Sequence, residues 1–303
     1  MLLMHKPNLH QKKRSKPPQL RQIRSTNRTD PHNNIVVVSD LHCGCGLGLF
    51  PDKTLRLSDE KQLSPSPFQK KLLKMWRSFW DEFVPSEIEG EPFCVVVNGD
   101  AIDGVHHNST SQITHNMADQ VEIAYQMLAP VREACQGRLY MIRGTEAHVG
   151  KSGAFEELLA QRLKAVPDAN GLYSRYELWK KCGDGLVHFL HHVGTTGSAA
   201  HEASAVNAEL TASYVEAARW GQKIPDIICR SHRHRSIELR IPTANGNGIA
   251  IVTPGWQGKG SYAYKIAGAR LAPPQFGGCL IRRGKAHLYV LSKVWTVDRG
   301  EPE

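Results

Sequence analysis

The chain has 303 residues, 41% hydrophobic and 22% charged, with a formal net charge of +9. That balance excludes a fibrous or wholly disordered protein and supplies enough apolar material for a sizeable core. Seven scattered cysteines (Cys43, Cys45, Cys94, Cys135, Cys182, Cys229, Cys279) with no CxxC pair speak against a disulfide framework and for a reducing, cytoplasmic compartment, and no apolar run approaches a membrane span.

Residues 1–34 carry eight Lys/Arg against Asp30 alone, so +7 of the total +9 lies in this tail and the remainder is nearly neutral. Too few apolar residues are present there to offset the entropy of ordering, and the segment reads as a disordered basic tail. An arm for nucleic acid or another polyanion and a plain solvated extension are both compatible with it. Met1-Leu2-Leu3-Met4 is too short for a signal-peptide core. The folded domain is expected over residues 35–295, with a short tail at 296–303.

Asn34–Ser39 is a β-branched run of the kind buried on both faces of a sheet. A Gly, Pro and Ser-rich loop, Cys43–Pro67, precedes Phe68, Leu72, Leu73, Trp76, Phe79, Trp80 and Phe83, which recur at helical spacing as a core face. Pro92–Asn98 and Arg138–Arg143 read as strands, with a helix over Met117–Cys135 between them. Ser152 is expected to cap a helix reaching about Ala165, with Glu156 and Glu157 in its first turns. Leu186–Leu190 and Ile224–Cys229 read as strands flanking a long helix, Ser198–Trp220. Thereafter come Ile237–Ile241, Gly248–Val252, Gly278–Arg282 and His287–Val294, strands with no helix between them. Early βα units followed by a strand-rich half predict an α/β fold of two mixed sheets packed face to face, with helices outside.

Five short segments carry metal-ligating residues where these strands should end: Asp40-Leu41-His42, Gly99-Asp100-Ala101-Ile102-Asp103, Gly144-Thr145-Glu146-Ala147-His148, His191-His192 and His232-Arg233-His234. A strand delivers its last side chains to one edge of its sheet, so carboxylates and imidazoles from five strand ends can converge on one centre. Oxygen and nitrogen donors without thiolate favour Mn, Fe or Zn in a hydrolytic site over a structural zinc. Cys43 and Cys45 flank the first motif and read as small buried residues. His106 and His107 can contact a substrate phosphate or be ordinary loop residues. Trp256 and Tyr262, in a glycine-containing loop with Gly255, Gly258 and Gly260, read as core rather than as a stacking surface.

Taken in order, Asp40-x-His42, Gly99-Asp100-x-x-Asp103, Gly144-x-x-x-His148, His191-His192 and His232-x-His234 resemble the calcineurin-like metallophosphoesterase superfamily over about residues 35–294. Asn98–Gly104 and Thr253–Trp256 are similar to its phage and prophage branch. The resemblance implies a four-layer αββα sandwich and two divalent metal ions, Mn favoured. Asp40, His42 and His234 would hold the first ion, and Asp100 would bridge both. His232 with His191 or His192, His191 preferred, would hold the second. The family's usual Gly-Asn-His is absent, so Glu146 is expected to replace the Asn ligand, His148 to be the catalytic imidazole and Asp103 to orient it. A metal-bridging hydroxide would then attack a phosphomonoester or phosphodiester. A nuclease of the same fold and a non-catalytic scaffold are the alternatives.

Overall fold

Buried apolar runs build two sheets, and the pleat of each run decides which layers touch. In the computed structural model, residues 32–297 are described, apart from 107–108, 151, 195–197, 245, 262 and 266–270. The tail residues 1–31, His107, Tyr262 and residues 298–303 therefore lie outside the described residues. His32 is buried and bridges Cys182, so the folded body already includes the end of the expected tail.

The elements in order are β1 (Asn34–Val38), the small hairpin β2 (Leu55–Arg56) and β3 (Gln62–Leu63), α1 (Pro67–Ser78), α2 (Val84–Ile88), β4 (Cys94–Asn98) and α3 (Met117–Ala134). They continue with β5 (Leu139–Ile142), α4 (Glu146–Val149), α5 (Ala154–Arg162), β6 (Ser174–Arg175), β7 (Glu177–Cys182), β8 (Gly185–Leu190) and α6 (Glu202–Arg219). Last come β9 (Ile227–Arg230), β10 (Ile237–Thr243), β11 (Gly246–Val252), β12 (Gln275–Arg283) and β13 (Leu288–Thr296). A π-helical turn, Phe79–Phe83, joins α1 to α2. At the start of α1 the Ser66 hydroxyl accepts from Gln69 N at 3.1 Å while Gln69 Oε1 accepts from Ser66 N at 3.0 Å, a reciprocal cap ahead of Pro67.

One sheet has the order β13-β12-β1-β4-β5-β6 and the other β10-β11-β9-β8-β7. β1, β4, β5 and β6 run parallel, as do β8, β9 and β11. Ile35 and Val37 of β1 face the second sheet and pack with Val187, Phe189, Ile227 and Cys229. Val36 and Val38 point the other way, into a core with Leu72, Trp76, Val121, Leu128 and Leu159 of the helices. On the outer face of the second sheet Ile228 and Ala250 meet Val206 and Leu210 of α6. Helices, sheet, sheet and helix thus form the four-layer αββα sandwich expected from the sequence. Among the described residues no helix is long and apolar enough to cross a membrane.

Several boundaries differ. β7 was not expected: its Glu177, Trp179 and Lys181 face outward, while Leu178, Lys180 and Cys182 are buried. Lys180 buries its stem and lays its ammonium 5.0 Å from the Tyr140 ring centroid, so a charged pattern conceals an edge strand. Gly153, at φ +63°, precedes α5 with no side-chain cap where Ser152 was expected, and the helix stops at Arg162. Ile224 is exposed and β9 begins only at Ile227. The loop Cys43–Pro67 contains the β2–β3 hairpin.

Phe189 is fully buried between the sheets. Phe189→Ala should lower unfolding stability by about 3–5 kcal/mol, read as an earlier midpoint in urea denaturation with the slope unchanged.

Candidate metal centre

Because β1, β4 and β5 are parallel in one sheet and β8 and β9 in the other, their carboxyl ends open on a common edge. Each chain then turns sharply. Asp40 (φ 52°), His42 (44°), Asp100 (51°), His232 (71°) and His234 (51°) all adopt left-handed backbone. For a non-glycine residue this costs roughly 1–2 kcal/mol, and such strain gathers where a site over-determines it. The tips are tied together by Asp40 N→Gly99 O (3.0 Å), His42 N→Asp100 O (3.0 Å), Cys43 N→Ala101 O (3.1 Å) and Asp103 N→Cys43 O (3.0 Å). Two glycines make room. A Cβ on Gly99, at φ +88°, would stand 2.2 Å from His191 Nδ1, and one on Gly144 would stand 2.0 Å from Asp100 Oδ1.

Beneath the tips runs a buried chain of hydroxyls. Ser39 Oγ and Ser231 Oγ each hydrogen-bond with Thr253 Oγ1 at 2.7 Å, and Asn98 Nδ2 donates to Ser231 Oγ (2.7 Å) and Leu190 O (3.0 Å). This floor joins the ends of β1 and β4 to those of β8, β9 and β11, so the two sheets share it.

On the floor the ligand atoms fall into overlapping groups, each within 4.8 Å: Asp40/His42/His234, Asp40/Asp100/His191, His191/His192/His232, His42/Asp100/His148 and Asp103/His106/His148. In the first, His42 Nε2 and His234 Nε2 face each other at 3.2 Å, with Asp40 Oδ1 3.3 Å from His234 Nε2. Nitrogens held so close need a shared proton or a cation between them. His191 Nδ1 donates to Asn98 O at 2.7 Å, which directs Nε2 to Asp100 Oδ2 at 3.0 Å. A metal-ligating histidine is fixed in this way by its second nitrogen. His192 and His232 are exposed, with ring centroids 5.1 Å apart and each just over 5 Å from His191.

Burial alone would raise the Asp40 carboxyl, but His234 and His191 outweigh it and hold it at about 2. Burial likewise opposes ionisation of Asp100, which His191 and His148 nevertheless keep well below the usual carboxylate range. Burial disfavours charge on His191, yet Asp100 and Asp40 raise it to about 10. Two ionised carboxylates are thus compensated by positive charge. Asp40 Oδ1 is buried and makes no well-aligned hydrogen bond beyond its ion-pair contact with His234 Nε2. That under-satisfied oxygen, with carboxylate and imidazole donors around it, fits divalent cations at this edge.

The third motif departs from expectation. Glu146 opens the short α4, is exposed, and belongs to none of the ligand groups among the described residues. The neighbouring Thr145 faces Asp100 instead. Its amide donates to Asp100 Oδ1 (2.7 Å), its hydroxyl donates to Asp100 Oδ2 (3.2 Å) and lies 3.1 Å from His232 Nδ1. The chain turns into α4 directly after Thr145, so the next side chain points to solvent.

Asp103 also acts differently. Its Oδ1 accepts from His42 Nδ1 (3.0 Å) and Gln257 Nε2 (3.0 Å), and its Oδ2 from Gln112 Nε2 (2.9 Å). The side chain therefore orients His42, while its main-chain carbonyl accepts from His148 Nδ1 at 2.6 Å. His148 Nε2 faces Asp100 Oδ2 at 3.9 Å, and burial lowers this imidazole to about 4. His106 packs edge-on against His148, centroids 4.3 Å apart, with Nε2 3.5 Å from Asp103 Oδ2.

Sequence reasoning missed Thr145, Gln112, Gln257 and the part played by Glu156. The last is fully buried and accepts from Ala101 N (3.0 Å) and Gly144 N (2.7 Å), clamping the tips of β4 and β5. Burial, then the nearby Asp100, raises it to about 7. Its position in a first helical turn suggested only a dipole contact. Cys43 and Cys45 are buried, with thiols pushed up by burial and by Asp103, and Trp256 is core, packed on Trp76.

No family model and no curated protein matches the chain. Solved structures that match include vacuolar protein sorting 29 from Cryptosporidium parvum, at 12% identity and a TM-score of 0.37, covering 88% of this chain and 100% of that one. Vps29 from Entamoeba histolytica matches at 12% identity and 0.36, covering 88% and 99%. A metallophosphoesterase from Sphaerobacter thermophilus matches at 10% identity and 0.34, covering 88% of each. Likeness at this level carries no argument, so the fold rests on the strand order above and the chemistry on this chain's own side chains.

Two substitutions separate the neighbours in the third motif. Thr145→Ala should weaken Mn binding roughly 10-fold or more in a calorimetric titration, as loss of a supporting contact does, while Glu146→Ala should leave it unchanged. Gly99→Ala should displace His191 and cost metal binding still more, with the far-ultraviolet circular dichroism of the fold retained.

Proposed function

We propose that the chain is a dinuclear-metal-dependent phosphoester hydrolase of the calcineurin-like kind. What supports this reading is Asp100, whose carboxylate stands between the Asp40/His42/His234 group and the His191/His192/His232 group. A carboxylate has two oxygens and can serve two ions at once. In this reading Asp40, His42 and His234 hold one ion. His191 and His232, aided by Thr145 and within reach of His192, hold the other, and Asp100 serves both. Divalent ions, with Mn favoured, would neutralise the phosphoryl oxygens and lower the pKa of the attacking water.

The residues do the rest. Asp103 holds His42 through Nδ1, directing Nε2 into the centre beside His234 Nε2. The Asp103 carbonyl holds the Nδ1 proton of His148, so Nε2 is the atom that exchanges a proton with substrate. A phosphoryl group brought beside it adds negative charge and favours the imidazolium, which can then donate to the leaving oxygen. Both phosphomonoesters and phosphodiesters suit this arrangement, since neither needs a covalent enzyme intermediate.

The test is a substrate panel on metal-loaded protein: an aryl phosphate and a bis-aryl phosphate with Mn. Turnover of at least one is expected, abolished by chelation and reduced at least 100-fold in Asp100→Asn. His148→Ala should lower kcat by roughly 100-fold or more with metal binding retained. Fully metal-loaded wild-type protein that cleaves neither ester would overturn the proposal.

A further inference from the structure

We propose that Tyr176, held over Arg143 at the rim of the metal centre, is a stacking platform for the nucleobase of a nucleotide phosphoester. This names a substrate class for the hydrolase proposed above and rests on that reading. Tyr176 lies in the bend where the chain leaves β6 of one sheet and begins β7 of the other. Arg143 N donates to Arg175 O at 2.8 Å, and Glu177 pairs with Leu190. The bend is therefore flanked by Arg143, just past the end of β5 and two residues before Thr145, and by the end of β8, one residue before His191. It sits on the edge where the ligands gather.

The ring is 66% exposed, so the core gains little from it. Yet it is braced. The Arg143 guanidinium carbon lies 5.0 Å from the ring centroid. That guanidinium is in turn tied down, with Nε donating to Ser174 Oγ (3.0 Å), Nη1 to Ser152 O (3.4 Å) and Nη2 3.8 Å from Glu157 Oε2. A cation beneath an aromatic face fixes the ring without covering it. Among the other exposed aromatics described, Tyr264 also carries a cation, with Lys259 Nζ 4.2 Å from its ring centroid, but it lines a groove with Leu271, Pro274 and Val297 beside β12 and β13 rather than beside β5 and β8. Trp179 is already stacked on His188, centroids 4.0 Å apart, and Trp220 donates to Glu216 after the end of α6, at the opposite edge of the sheet.

A braced, exposed ring on the same sheet edge as the ligand cluster suits a phosphoester that carries a flat ring beside its phosphate. Stacking accepts any base, because every base presents a π-face.

The experiment compares AMP with ribose 5-phosphate, which lacks the base, as calorimetric ligands of the Mn-loaded full chain. Wild-type protein should bind AMP roughly 10-fold tighter. Tyr176→Ala should remove that preference and leave ribose 5-phosphate unchanged, while Tyr176→Phe and Tyr176→Trp should keep it. Equal wild-type affinities, equal weakening of both ligands in Tyr176→Ala, or loss of the preference in Tyr176→Phe would each overturn the platform. Ester turnover without an AMP preference would sink the platform alone, and an AMP preference without turnover would sink the hydrolase reading alone.

Discussion

Two carboxylates buried side by side govern this structure. Asp40 and Asp100 are 0% and 1% exposed, and their oxygens share one 4.8 Å group with His191. Removing an ionised carboxylate from water costs several kcal/mol unless opposite charge and donors replace the solvent. Those donors are the imidazoles of His191 and His234, the Thr145 amide and the His232 amide, which reaches Asp40 Oδ2 at 3.3 Å. Left-handed turns, glycines with no room for a side chain, and the hydroxyl floor all bring these compensators within reach. A divalent cation does the same work as two protons, in a space already organised for positive charge.

What could be read from the sequence follows from which signals are local. β1 and β4 were legible because strands buried on both faces are uniformly apolar. The placing of Asp40, Asp100, His191 and His234 on one edge followed from strand ends alone. β7 was hidden because its outward face is charged and its buried Lys180 looks exposed in a list of residue types. That Thr145 rather than Glu146 meets Asp100 was hidden for another reason. Charge favoured Glu146 as the stand-in for an Asn, but backbone direction decides which of two neighbours faces the centre, and α4 starts between them. Spacing likewise placed Asp103 near His148 without revealing that its carbonyl meets His148 while its carboxylate meets His42.

Asp103 shows how such a centre is held from behind. Burial would raise its carboxyl, but hydrogen bonds from His106 and His42 keep it below the usual range, and Gln112 and Gln257 add further donors. Loops following β4 and β11 therefore converge on one oxygen pair, and a disturbance in either loop reaches His42 through it. Glu156 serves the facing side in the same manner, accepting two main-chain amides rather than side chains.

The hydroxyl floor also sets when the centre can exist. Ser39 and Thr253 are hydrogen-bonded yet stand 214 positions apart in the chain, so the floor closes only after the chain has been made through β11 and the second sheet has docked on the first. A nascent chain that stops short of β11 owns Asp40, His42 and Asp100 but lacks the surface that aligns them. An ion taken up at this edge would be captured only by the finished fold, and would favour the closed sandwich over any state in which the sheets have parted.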